Sequence, residues 1–223
     1  MSEALYARPS DTPSTFAEAV RVFFRHWSPR ILTVLATVAV AIRLSLGDWV
    51  VWDAVIALAI IVAWPFQEWC IHVFFLHWKP RMLGGRRIDF PTAKDHRDHH
   101  KDPWFLPLLF IPVRVYSYAI VVVAAFWYLI MPNASLTWTG IACMWLGSLH
   151  YEWGHYIAHI RYRPRSVFYR RMIDHHRLHH FKHEKYWMGV TTRMADIILG
   201  TRPPPDSVET SPTVRDFGYD QLP

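Results

Sequence analysis

Four apolar stretches, Ile31 to Leu46, Trp49 to Phe66, Val115 to Met131 and Leu136 to Leu149, are separated by segments dense in arginine, lysine and histidine. A helix needs about 20 residues, at a rise of about 1.5 Å each, to cross the hydrocarbon of a bilayer. The stretches reach or nearly reach that length, the first and last requiring tilt or continuation past the lipid core. Mean hydropathy is only +0.07 although 52% of the residues are hydrophobic, so the average conceals an alternation of lipid-soluble and strongly polar segments. Backbone polar groups in lipid must be satisfied within the spanning segment, which makes apolar stretches of this length helices. The expected fold is all-α: an integral membrane protein of about four transmembrane helices carrying a helical cap.

Tight connections at Gly47-Asp48 and Pro132-Asn133 pair the spans as hairpins on one side of the bilayer. The other loops are long and basic, with Arg8, Arg21, Arg25 and Arg30 before the first span. Lys79, Arg81, Arg86, Arg87, Lys94 and Arg97 follow the second; Arg161, Arg163, Arg165, Arg170 and Arg171 follow the fourth. The positive-inside rule puts these loops, both termini and the cap in the cytosol, whether the membrane is a bacterial inner membrane or the endoplasmic reticulum. A net charge of +6 then suits an anionic membrane surface, and no nucleic-acid partner is expected. The first thirty residues lack the order of a signal peptide, so the amino terminus is expected to be retained, with Phe16 to Trp27 as an interfacial amphipathic helix. Pro103 to Arg114 reads as interfacial or re-entrant. Cys70 and Cys143 lie in apolar surroundings and read as reduced, buried fillers. At 223 residues the chain is one domain, 1–200, followed by a tail, 201–223, whose proline-rich polar composition cannot bury a core and is expected to be flexible.

Of the chain's 14 histidines nearly all fall in four runs at the edges of apolar segments. They are His72 and His77; His96, His99 and His100; His155 and His159, preceded by His150; and His176, His179 and His180, flanked by His175 and His183. Imidazole is largely neutral at physiological pH and binds borderline metals such as iron and zinc. On a helix turning about 100° per residue, each HxxHH run occupies one face and its nitrogens can converge on one volume. His155 and His159 form an i, i+4 pair, whereas His72 and His77, five apart, fit a single face poorly and require a distorted turn or two separate metal positions. One HxxHH on a basic loop is as readily a solvated face as a ligand set. Two copies and two further pairs, all on one side of the membrane, make ten candidate ligands, more than one ion accepts, so two metal ions are expected. His150, His175 and His183 read as partners around the ligands or as polar residues satisfied nearby, and lone His26 as an interfacial side chain. Asp95, Asp98, Asp102, Glu152, Asp174 and Glu184 are placed to receive the second N–H of a ligating ring.

The motifs EWCIHVFFLH, HRDHH, HYIAH and HRLHH, followed by GVTTRMADIILGT, resemble those of the fatty acid hydroxylase superfamily, which includes sphingolipid fatty acid 2-hydroxylases, sterol desaturases and carotenoid hydroxylases. The resemblance covers about Glu68 to Thr201. It implies a dinuclear centre, iron in the active enzyme with zinc as a possible occupant, held by His72, His77, His96, His99, His100, His155, His159, His176, His179 and His180. It further implies a dioxygen-dependent oxidoreductase that hydroxylates an unactivated C–H bond of a fatty acyl or sphingolipid chain. Electrons would come from a separate ferredoxin- or cytochrome-type donor. Where many relatives carry an arginine after the first histidine, this chain has Val73, which leaves the subfamily open. A lipid desaturase would use the same centre. A metal transporter is the alternative of another class, but it needs ligands near the bilayer midplane, where these spans are almost purely apolar. Trp64, Phe66, Phe74, Phe75, Trp104, Phe105 and Trp153 are candidates for a lipid entry, most of them better explained as interface belt or packing.

Overall fold

A computed structural model describes residues 11–218; Arg8 and residues 219–223 of the expected tail lie outside the described residues. The order is α1 (Phe16–Phe23), α2 (Trp27–Leu46), α3 (Val51–Ile71) running into a π-turn (His72–Leu76), strands β1 (Arg81–Leu83) and β2 (Arg86–Ile88), then α4 (Pro91–Lys101). After a short 3₁₀ turn (Leu106–Leu109) come α5 (Val113–Ile130), α6 (Ala134–Ala158), α7 (Val167–Phe181) and α8 (Met194–Ile198). The small β1–β2 hairpin departs from an all-helical chain. Its turn, Gly84-Gly85, has both φ angles positive at 56° and 75°, as a tight two-residue connection requires.

The chain divides into two compact units, one of residues 22–64 and 110–153, the other of residues up to Arg21, 65–109 and from Gly154 on. The first unit holds α2, α5 and most of α3 and α6. Its core is built from Leu32, Ala36, Ala39, Ile56, Tyr116, Trp127, Leu136, Ile141, Ala142 and Trp145. Gly140 makes this packing possible, since a Cβ there would stand 2.2 Å from the Trp127 ring. One end of the unit is tied by a buried bidentate pair, Arg43 Nε and Nη2 to the Asp53 carboxylate at 2.9 Å each, with Arg43 Nε also donating to Thr139 Oγ1 at 2.8 Å. Fork-to-carboxylate geometry of this kind satisfies charges that lipid surroundings would otherwise penalise. The expected Gly47-Asp48 hairpin sits beside it, both residues at positive φ.

Trp27–Leu46, Val51–Leu76 and Leu106–Ile130 are helical stretches long and apolar enough to cross a membrane, with only 28%, 17% and 17% of each buried inside the protein. Side chains such as Leu58, Ile61, Val121 and Leu129 are more than half exposed, an arrangement suited to lipid and not to water. The fourth expected span lies within α6. Its Ser135, Thr137, Thr139, Gly140 and Ser148 dilute the apolar residues, so three helices, not four, reach span hydropathy among the described residues. The second span is longer than the sequence suggested, because α3 continues through Pro65 to Ile71. A membrane helix tolerates the missing N–H of proline where a water-soluble helix would break.

The second unit contains the π-turn, the hairpin, α4, α7, α8 and the histidine-bearing end of α6. Thr15 and Glu18 start α1 with a capping box, Glu18 N donating to Thr15 Oγ1 and Thr15 N to Glu18 Oε2, each at 3.2 Å. Tyr156 Oη, fully buried, donates to Ala19 O at 3.2 Å and fixes residues 16–21 within this unit. Residues after Thr201, whose composition reads as a tail, also belong here: Ser211, Val214 and Phe217 are buried. Val214 O meets His100 of α4, Phe217 packs on His77 and His100, and Ser211 N donates to Lys182 O just past the end of α7.

Candidate metal centre

The ten histidines singled out above lie together in the second unit, in two groups of five. His72, His77, His96, His100 and His179 form one group; His99, His155, His159, His176 and His180 form the other. Within each group one nitrogen per ring lies within 4.8 Å of every other. Opposed ligands of one ion with metal–nitrogen bonds of about 2.1 Å stand about 4.2 Å apart, so little contraction separates each group from a coordination shell.

Neither HxxHH run serves one position. His96 and His100 of α4, one turn apart, enter the first group and His99 the second; in α7, His176 and His180 enter the second group and His179 the first. Each helix therefore gives its i, i+4 pair to one position and its odd histidine to the other. The remaining pair of the second group is His155 and His159 on α6, and that of the first is His72 and His77. In an α-helix those two would point about 140° apart. The π-turn removes the difficulty: His77 N donates to His72 O at 2.9 Å, an i to i−5 bond that widens the turn and brings the rings to 4.7 Å. The two groups adjoin where His100 and His180 stack at 4.0 Å.

Hydrogen bonds set the tautomers. His72 Nδ1 donates to Met188 O at 2.6 Å, His179 Nδ1 to Tyr186 O at 2.8 Å, His100 Nδ1 to Val214 O at 3.2 Å and His155 Nδ1 to Leu109 O at 2.8 Å. A carbonyl only accepts, so each Nδ1 carries the proton and each Nε2 presents a lone pair. These carbonyls fill the outer role that the sequence assigned to carboxylates. Asp98 instead pairs with Lys94, Asp102 accepts from Trp104 N, Glu152 from Ser28 Oγ and Ile111 N, and Glu184 from Thr213 Oγ1.

Two carboxylates outside that expectation frame the centre from behind. Asp196, fully buried, accepts from Met188 N at 2.9 Å, Gly189 N at 2.7 Å, Thr201 Oγ1 at 2.5 Å and His175 Nε2 at 2.8 Å. Glu68 accepts from Val190 N, from Thr191 N at 2.9 Å and from Thr191 Oγ1 at 2.6 Å. Together they grip the 188–191 loop that presents the Met188 carbonyl to His72. Gly189 is obligatory in that loop, since a Cβ would stand 2.1 Å from Thr192 O. The available signal was a lone carboxylate inside each apolar run, Glu68 in PFQEWC and Asp196 in RMADII. His175 is thus a partner of Asp196. His183 Nδ1 accepts from Lys185 N at 3.3 Å, His26 stacks on Phe110 at 4.1 Å, and His150 is half-buried in the membrane-helix unit.

The electrostatics suit a cation. Burial pushes the imidazoles of His96, His99, His100, His176, His179 and His180 well below the usual histidine range, so they are neutral and competent to ligate. Nε2 of His77, His100 and His179, and both nitrogens of His180, are buried without a hydrogen-bond partner. Each such atom costs about 1–3 kcal/mol unless something accepts its lone pair. Three Nε2 pairs, His72 with His96, His99 with His155, and His159 with His176, stand 3.0–3.1 Å apart. Two ligands about 2.1 Å from one ion and about 90° apart would be separated by about 3.0 Å. The residues therefore fit two ions, each with five imidazoles.

The family model described as fatty acid hydroxylase matches residues 57–201. The chain belongs to the fatty acid hydroxylase family. All ten histidines fall within the matched residues. Among curated relatives, mouse (Mus musculus) fatty acid 2-hydroxylase is 31% identical over 146 residues, covering 65% of this chain and 38% of that protein. Dihydroceramide fatty acyl 2-hydroxylase FAH1 of Arabidopsis thaliana is 29% identical over 147 residues, 64% of this chain and 58% of its own. This chain therefore spans less than two thirds of the length of either relative. A solved structure titled full-length scs7p, with only the hydroxylase domain visible, shares the fold at a TM-score of 0.64 and 19% identity, over 90% of this chain and 71% of that one.

Proposed function

We propose that this family member hydroxylates an unactivated C–H bond of a lipid, a fatty acyl or sphingolipid chain, at a di-iron centre held by the ten histidines. The observation that carries the reading is the pair of five-imidazole groups with converging nitrogens. The names of the relatives, fatty acid and dihydroceramide fatty acyl 2-hydroxylases, support the substrate class. Five nitrogen donors exceed the four of a structural zinc site, and an imidazole shell suits a redox metal. When bound, the iron pair would supply dioxygen activation, with electrons from a separate ferredoxin- or cytochrome-type donor.

The chain's own part is positioning and exclusion of water. His72, His100, His155 and His179 are fixed as Nε2 donors by backbone carbonyls, so their lone pairs need no reorganisation to bind. Trp104 packs against Phe181 at 5.5 Å and faces His159 at 6.3 Å, walling the second group with apolar surface. Of the aromatic entry candidates, Phe74, Phe75 and Phe105 are more than half exposed and suit an interface belt. Basic loops after the second and fourth apolar stretches support a cytosolic centre and cytosolic termini, in a bacterial inner membrane or the endoplasmic reticulum.

The test is mass spectrometry of lipids from cells expressing the chain or its His179→Ala variant. An added oxygen on acyl chains, present with the chain and absent with the variant, is the expected result. A new double bond without added oxygen would assign desaturation instead, and identical lipids in both would contradict the role of the site.

A further inference from the structure

Residues 211–218 lie beyond the family match, which ends at 201, yet they close one side of the first histidine group. Val214 O takes the Nδ1 proton of His100 at 3.2 Å, and Arg215 Nη1 donates to His100 O at 3.2 Å, gripping that residue by ring and backbone. The Phe217 ring stacks on His77 at 4.4 Å and 26°, and meets His100 at 4.5 Å and His96 at 6.2 Å. Phe217 is 7% exposed and sits at a φ of 58°, a conformation that a bulky residue adopts only when its surroundings impose it. Ser211 N to Lys182 O at 2.8 Å and Thr213 Oγ1 to Glu184 Oε1 at 2.9 Å anchor the segment to the end of α7. The histidine rings that Phe217 meets, His77, His96 and His100, belong to the first group, and Arg215 Cζ lies over the Phe181 ring at 4.6 Å.

We propose that residues 211–218 are a positioning segment for the first metal position alone, making the two positions unequal in their dependence on the chain's end. This rests on the reading of the ten histidines as ligands of two ions. His77 and His100 are the two ligands most dependent on it: the segment fixes the tautomer of one and packs the ring of the other against the turn that carries it. The second position draws its histidines from α4, α6 and α7 and its ring partner from Leu109 O, and the segment comes near it only through Arg215 over the Phe181 ring.

Metal analysis of the purified protein tests this. Iron per polypeptide is measured after dialysis against a chelator, for the full chain, a chain ending at Thr210, Phe217→Ala and Phe217→Tyr. The full chain and Phe217→Tyr should keep two ions, and the shortened chain and Phe217→Ala one, with a loss in affinity of about 10–100-fold at the emptied position. In a His159→Ala background, shortening should remove the ion that remains. Retention of both ions by the shortened chain, as firmly as by the full one, overturns the proposal. Loss of both ions from the shortened chain leaves the decision to the Phe217 pair: different stoichiometries support the proposal and equal ones overturn it. A full chain that holds fewer than two ions overturns the reading beneath the proposal, and the proposal with it.

Discussion

Asp196→Asn replaces one oxygen of a buried carboxylate by an amide nitrogen of nearly the same size, so it changes hydrogen bonding without opening a cavity. In the native chain one carboxylate oxygen accepts from Met188 N and Thr201 Oγ1, and the other from Gly189 N and His175 Nε2. Whichever way the new amide turns, one backbone N–H, that of Met188 or of Gly189, faces an NH₂ group and loses its acceptor, and the Thr201 hydroxyl or the His175 ring beside it must turn to accept. At about 1–3 kcal/mol for a buried donor left unsatisfied, the loss is about 1–3 kcal/mol. The 186–190 loop should pay most of it, and that loop supplies the carbonyls for His72 and His179, both of the first group. The expected outcome is a lower unfolding temperature in detergent, followed by tryptophan fluorescence, together with a 10–100-fold weaker hold on one of two ions. An Asn variant with unchanged stability and metal affinity would refute the view that this loop is held by Asp196.

Gly189→Ala should destabilise the same loop severely, since its Cβ would meet backbone at 2.1 Å; thermal unfolding checks this, and a fold as stable as the parent would contradict the geometry. Arg43→Met should cost about 3–5 kcal/mol by stranding a buried Asp53. The double change with Asp53→Leu should recover much of that loss in unfolding experiments on reconstituted protein. His96→Ala and His99→Ala, three residues apart on α4, should weaken different ions; spectroscopic signals that change identically in the two variants would argue against the split of that helix between positions.

The grouping of the ten histidines and the helices that carry them were legible because both depend on local sequence: apolar length for the spans, and i, i+3 and i+4 spacing for the histidine runs. How each run divides was not, because the face shared by His96, His99 and His100 is wide enough to serve two centres, and packing against the π-turn, α6 and α7 decides which ring turns where. The spacing of His72 and His77 announced a distorted turn without naming it; the π-turn is the distortion. The partners of the rings were hidden for a different reason. Carbonyls of Leu109, Tyr186, Met188 and Val214 carry no side-chain signature, and all but that of Tyr186 meet their rings across 46 to 116 residues of chain. The return of Val214 and Phe217 escaped a composition argument because a few buried side chains do not alter the average of a polar, proline-rich segment. The fourth expected span, within α6, falls short of span hydropathy because serines, threonines and a glycine dilute a run that carries no charge.

Anomalous X-ray diffraction at the iron edge, on crystals of the iron-loaded protein, tests the central claim most directly. The account predicts two peaks, one within the rings of His72, His77, His96, His100 and His179, the other within those of His99, His155, His159, His176 and His180. A single peak, or iron bound elsewhere with these ten rings turned to other partners, would contradict it.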